Sequence, residues 1–519
     1  MGFRTWGFPK HRPSTNTPPQ RVYLEGQLTD DIQLNLSSLK DAFAYPDNMS
    51  LKIRNIQILA LNLEAVIVYV ESAADAKTVE RNMIKPLLEM ELPESHNKSA
   101  DPIQIIKDHL LPVLSLKQTE TFQEVNADLL NGNTVLLISG SSQAIVAETQ
   151  GFSFRSVTTP QVEQVIRGPK EAFIESAETN RSLIRKYVRD NDLQCDTVKF
   201  GNNKNRTCYL MYMRNIANEQ IVDRVKKRIE VVQSDTVQNL YMLEQLIEER
   251  PYSMLPSVIL TERPDRVAGF LQEGHVAIIM ENSPAALITP VTFWGLFHAA
   301  EDQYHRWVSG NFMRIIRLLA MLVTMLVPAV YVAVSSYHVE MLPTDLMLAI
   351  AAARERVPFP IIVEIIFMEL TFELIRESGI RVPAPIGSTI GIVGALVLGQ
   401  AAVDANLVSP ILVIIVAITG LASFIIPDIT LNFSIRVQRF IFIMFGALFG
   451  FFGIALYMSF VLAYLVSFKS FGVPFFSPLA PRLSASKDMF IRSPLRKQWL
   501  RPANLMPKDQ TKQDKPEGN

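Results

Sequence analysis

Formal charge nearly disappears from one long stretch of this chain, and that limits its folding options more than any motif does. Between Val382 and Phe468 the only charged residues are Asp404, Asp428, Arg436 and Arg439. Within the first 310 residues, by contrast, no uncharged run reaches the roughly 20 residues that a helix needs to cross a bilayer. Uncharged apolar runs of about that length or more occupy 318–339, 382–403, 405–427 and 440–468. The expected fold class is therefore a soluble α+β N-terminal part followed by an all-α membrane domain of about four spans. Residues 357–375 are apolar but interrupted by Glu364, Glu369 and Glu373, and are expected as a polar re-entrant or interfacial helix or a fifth, partly polar span. The whole-chain figures agree: hydrophobic residues make up 48% of 519 and mean hydropathy is +0.17, too apolar for an ordinary soluble protein of this size.

Fifty basic side chains against 51 acidic ones leave a net charge of -1, so nothing points to nucleic acid as a partner. Cys195 and Cys208 are too few for a disulfide framework or a zinc site. Residues 1–20 carry Arg4, Lys10 and Arg12 among prolines and lack the apolar core of a secretory signal, which reads as a disordered, cytoplasmic tail. The segment 469–519 holds ten basic residues and four acidic ones, so by the positive-inside rule it is cytoplasmic too. Both ends on one side require an even number of crossings.

The soluble part reads as a duplication. In its first half, 21–158, Ala65-Val-Ile-Val-Tyr-Val70 has strand composition, a helical pattern follows over 74–89, and 133–140 and 143–148 flank a two-residue Ser141-Ser142 turn. In the second half, within 159–310, the same order returns: 208–213, a helical pattern over 219–232, then 275–280 and 285–289 around a turn. Two similar α+β lobes follow from this repetition. The stretch 161–189 predicts a short helix, a corner at Gly168-Pro169 and a longer helix between the lobes.

Arg167-Gly-Pro-Lys-Glu-Ala-Phe-Ile-Glu-Ser-Ala-Glu-Thr-Asn180, Met368-Glu-Leu-Thr-Phe-Glu-Leu-Ile-Arg-Glu-Ser-Gly-Ile-Arg-Val-Pro383 and the glycine-rich run 386–403 are more specific than composition. With Thr261-Glu-Arg-Pro-Asp-Arg266 and Phe475-Phe-Ser-Pro478, they resemble the A subunit of the GerA-type spore germinant receptors of endospore-forming bacteria, in order from about residue 30 to 480. The resemblance implies an inner spore membrane protein with a two-lobed cytosolic domain. It further implies a polytopic B subunit that binds germinant and a C subunit lipoprotein as partners, and a homo-oligomeric ring that acts as a ligand-gated cation channel. The stage V sporulation A-type F protein shares the membrane motifs and stands as an alternative identity.

Within 386–403, Gly387, Gly391, Gly394 and Ala395, with Ala401 and Ala402, fall on one side of a helix and form a small-residue stripe that lets helices approach closely. Leu396, Gln400 and Val403 lie on the other side, the side that faces a central pore if the stripe packs against a neighbouring subunit. Glu369, Glu373, Arg376 and Glu377 share a wedge that is either a solvated face or an acidic vestibule for cations, whereas Glu364 lies off it and must be buried with a partner or protonated. The seven histidines show no metal-ligand spacing, no phosphate-binding glycine loop or nucleophile elbow occurs, and no cofactor is expected. On the resemblance, an oligomeric signal-transducing channel subunit gated by a partner is the favoured class. A secondary transporter would need a repeat inside the membrane part that the sequence lacks, and a membrane enzyme would need a catalytic constellation.

Overall fold

The computed structural model describes residues 26–90, 102–113, 115–151, 159–160, 163–202, 204–381, 398–483 and 490–513. The first lobe is a five-stranded antiparallel sheet of β1 (Leu51–Ile58), β2 (Leu63–Val70), β3 (Leu116–Thr119), β4 (Thr134–Ile138) and β5 (Ala144–Ala147), ordered β1-β2-β4-β5-β3. The second contains β6 (Leu193–Phe200), β7 (Arg206–Met213), β8 (Ile259–Thr261), β9 (Val276–Met280) and β10 (Ala286–Thr289), ordered β6-β7-β9-β10-β8. Strand for strand the two orders are the same, so the duplication extends to topology.

Alternation along β2 explains why the first sheet is covered on both faces. Val66 and Val68 meet Leu36 and Leu39 of helix α1 (Ile32–Ala42) and Val125 and Leu129 of α2 (Phe122–Leu130). Ala65 and Ile67 point the other way, onto Val79, Met83 and Ile106. Short polar side chains start the helices: Asp31 caps α1 and Thr121 caps α2. The lobes are tied by α3 (Ala177–Tyr187), whose fully buried Arg185 donates from Nε to Ser72 Oγ and from Nη2 to Ser50 Oγ, both at 3.0 Å. Among the described residues of 161–189, only α3 of the expected helices forms. Residues 170–176 are instead non-helical, because the Phe173 N–H donates to the Glu262 carbonyl and the Asn180 side chain holds both backbone polar groups of Ile174.

Lobe 2 is completed by α4 (Glu219–Glu230), α5 (Leu240–Ile247) and α6 (Pro264–Glu273), and by chain that returns from the helical part. Phe471 and Val473 enter its core, while Lys508 pairs with Glu219 at 2.7 Å and Lys512 with Glu273 at 3.1 Å. The basic C-terminal segment is thus packed on lobe 2 over its described residues.

The helical part comprises α7 (Trp307–Tyr337), α8 (Thr344–Arg354), α9 (Ile361–Arg381), α10 (Pro410–Ser423) and α11 (Ile429–Ser467). By length and composition α7 and α11 can cross a membrane, and α10 is a shorter apolar helix. α11 corrects one expectation: the run 440–468 is not a single span. At Gly450 the backbone takes φ 58° and ψ -142°, and beyond it the Tyr457 ring packs on Phe442 with centroids 4.6 Å apart and on Phe445 at 5.1 Å. Fifteen residues of straight helix would separate Phe442 from Tyr457 by about 22 Å, so α11 is a hairpin of two antiparallel arms.

Contacts set the direction of the other helices. Ser434 and Tyr464, near the two ends of the hairpin, bond to Met254 and Ser253 of lobe 2, while Tyr337 at the end of α7 bonds to the carbonyls of Ala447 and Leu448 beside the turn. One end of the bundle therefore faces lobe 2 and the other carries the Gly450 turn. α9 and α10 run parallel, since Glu364 meets Ser409 at their starts and Arg376 meets Ser423 near their ends, and Asn432 at the start of α11 donates to the Ser423 carbonyl, which points both toward the lobe 2 end.

Candidate functional site in the charged core of the helical part

The charges of the apolar region gather between α9 and the first arm of α11. Glu369 and Arg439 are both fully buried, with Arg439 Nη2 2.7 Å from Glu369 Oε2. The same nitrogen donates to Glu373 Oε1 at 2.9 Å, and Arg436 binds both Glu373 oxygens, from Nε at 3.1 Å and from Nη2 at 2.5 Å. Arg376 donates to the Gly420 carbonyl at 3.3 Å and to Ser423 Oγ, and its guanidinium stacks on Phe424 at 4.4 Å. Glu369 and Glu373 are thus matched by two arginines inside the bundle, rather than presented as an unpaired acidic face in the single chain. Ion pairs buried among apolar helices are costly to assemble and mark functional sites more often than stabilising ones.

Glu364 forms a second centre one to two turns away on α9. It is buried, accepts the Ser409 N–H at 2.6 Å and lies 3.6 Å from Arg354 Nε. Ser409 caps α10, so the Glu364 carboxylate sits at that helix's positive end. Gln400 is exposed and donates to Asp404 Oδ1 at 3.0 Å, one turn along the same short helical segment, and Val403 packs against the core. Gly387, Gly391, Gly394, Ala395 and Leu396 lie outside the described residues.

Sequence reasoning did not bring Arg436 and Arg439 to Glu369 and Glu373. A signal was present: two arginines three residues apart share one helix face, and in an otherwise uncharged run they need acidic partners. A third cluster, at the junction with lobe 2, gave no such hint. Asp302, 1% exposed, takes both Arg317 terminal nitrogens at 2.7 Å and Arg314 Nε at 3.2 Å. Burial pushes the Asp302 carboxyl up, but the Arg317 hydrogen bond and the charges of Arg317 and Arg314 outweigh it and hold the group below its usual range. Arg492 from the returning chain donates to the Asp302 carbonyl at 2.6 Å. The start of α7, lobe 2 and the C-terminal segment thus share one buried ionic joint.

Comparison with known proteins places this architecture. The family described as "Bacillus/Clostridium GerA spore germination protein" matches residues 37–504. Spore germination protein KA of Bacillus subtilis (strain 168) is 39% identical over 88% of this chain and 83% of its own length. The uncharacterized membrane protein YfkQ of the same organism is 38% identical over 82% of this chain and 83% of its own. The crystal structure of the N-terminal domain of the A subunit of the Bacillus megaterium spore germinant receptor GerK3 aligns with TM-score 0.40 and 26% identity, over 52% of this chain and 99% of that one. With nine-tenths of its length inside the family match, the chain belongs to the GerA family of spore germination proteins.

Proposed function

We propose that this chain is the A subunit of a nutrient germinant receptor in the inner membrane of the spore, and that its helical part assembles into a homo-oligomeric ring that passes monovalent cations. A polytopic B subunit senses germinant and a C subunit lipoprotein completes the complex. The observation that carries this reading is the inverted polarity of the bundle. Phe433, Met444, Leu448, Phe452, Leu456 and Phe460 of α11 are exposed, while Glu369, Arg439 and Glu364 are buried.

In a bilayer, α7, α9, the chain from 382 to 404, α10 and the two arms of α11 make six passes. An even number keeps lobe 1, lobe 2 and the basic C-terminal segment together on the cytoplasmic side. Gly387, Gly391, Gly394 and Ala395 pack one subunit against the next, and Leu396, Gln400 and Val403 line the conducting path, where an apolar constriction closes by dewetting. Glu364, Glu369 and Glu373 are the ionisable groups best placed to respond when the path opens. Sizing the full-length protein in detergent tests the assembly: a ring gives one discrete oligomer, and a stable monomer or dimer would remove it.

A further inference from the structure

Helix α5 is apolar on two faces. Leu240, Leu243 and Ile247 are buried in lobe 2, yet Tyr241, Met242 and Leu246 on its other side are exposed, as are Tyr252 and Met254 in the loop that follows. Its neighbour α4 differs: opposite its buried Ile221, Val222, Val225 and Ile229 it exposes only polar side chains, Gln220, Asp223, Lys227 and Glu230. An ordinary solvent-facing helix needs one apolar stripe, and α5 has a second that lobe 2 leaves open.

The position of that second face identifies what covers it. The loop at 250–254 reaches into the end of the α11 hairpin: Ser434 donates to the Met254 carbonyl, and the Tyr464 hydroxyl donates to Ser253 Oγ at 2.8 Å. Ser434 is more than one turn inside the first arm and lies beside Phe433, which is exposed. Tyr252, fully exposed, is therefore held at the level of the hairpin's own outward-facing aromatic side chains. Arg250 packs over Tyr464 and Phe468 at 5.6 and 5.5 Å, a cation at the depth where lipid phosphates end the apolar layer. We propose that α5 and the loop 248–256 form an interfacial anchor. Through it lobe 2 rests on the bilayer, with Tyr241, Met242, Leu246, Tyr252 and Met254 at the boundary between headgroups and acyl chains. This rests on the membrane reading of α11 given above. Its consequence is mechanical: tilting of lobe 2 against the bundle must pull apolar side chains out of lipid.

The test is the depth of nitroxide labels in the full-length protein reconstituted in phosphatidylcholine–phosphatidylglycerol liposomes. Cys195 and Cys208 are buried and stay unlabelled. Labels are placed at Tyr252→Cys and Leu246→Cys, with Met444→Cys on the hairpin as the lipid reference and Asn55→Cys on β1 as the water reference. Collision with oxygen relative to a water-soluble nickel chelate should fall between the two references at both test sites. Nickel access at 246 and 252 equal to that at 55 would overturn the anchor, and so would shielding from both reagents, which is the signature of a second copy covering the face. If the label at 444 is itself water-exposed, it is the membrane reading of α11 that fails.

Discussion

The joint at Asp302 is where a single substitution should separate the two α+β lobes from the helical part most cleanly. Asp302→Asn keeps the shape and one acceptor but removes the charge that balances Arg317 and Arg314, which are 6% and 2% exposed. Breaking a buried ion pair from one side costs about 3–5 kcal/mol, and the acceptor kept by asparagine points to the lower end. At about 1.4 kcal/mol per decade, 3 kcal/mol raises the local opening equilibrium by roughly 100- to 200-fold. pH is a poor substitute for the mutation. The folded carboxyl is depressed, so its stabilisation is fully present above the unfolded value near 4 and is lost only as pH falls through the lower folded value. Hydrogen exchange of the full-length protein in detergent at neutral pH is the assay. Amides from 299 to 317 should lose protection by about that factor, whereas those of β1 and β2 should be unaffected. A change under about threefold at the joint, equivalent to about 0.6 kcal/mol, would refute a structural ion pair there.

Gly450→Ala places a side chain where φ is 58° and ψ is -142°, with its Cβ 2.9 Å from His338 Nε2. About 1–3 kcal/mol of strain should lower the thermal midpoint in detergent, and an unchanged midpoint would argue against the hairpin. Glu244, pushed up to about 7 by burial and by the neighbouring Glu248 and Asp428, binds its proton better folded than unfolded. Stability should therefore fall as pH rises from about 4.5 to 7, by about 3 kcal/mol in all. Glu244→Gln should raise the midpoint at pH 8 far more than at pH 5, and equal gains at both would contradict that linkage. If the stripe joins subunits as proposed, Gly391→Leu or Gly394→Leu should prevent assembly by adding side-chain volume there, and normal oligomer size in both variants would remove the packing role of the stripe.

Much of the fold of the two lobes was legible because their central strands are continuous apolar runs bounded by turns. β2, β4, β5, β7, β9 and β10 all show this pattern. The edge strands were harder to see. β1 reads Leu-Lys-Ile-Arg-Asn-Ile-Gln-Ile, an alternation whose polar half masks it, and β3 and β8 are too short to carry any period. The stretch 170–176 reads as helix but is set by bonds to Glu262 and Asn180, partners that local propensity does not report. In the helical part, length alone hinted that 440–468 exceeds one crossing, and Gly450 is one of several glycines there, so the turn had no unique mark. The pairing of Glu373 with Arg436 spans 63 positions, and its geometry exists only once α9 and α11 pack.

Conduction through the helical part is decided by cation flux. Full-length wild-type protein and the variants Leu396→Ala, Leu396→Ser and Leu396→Phe, each verified for assembly, would be compared for potassium release from liposomes or spores without germinant. A smaller or more polar residue eases wetting of an apolar constriction, so the alanine and serine variants should leak while phenylalanine hinders release. Unchanged flux in all three at normal assembly would contradict a pore at Leu396 and shift attention to the α9 carboxylates Glu364, Glu369 and Glu373.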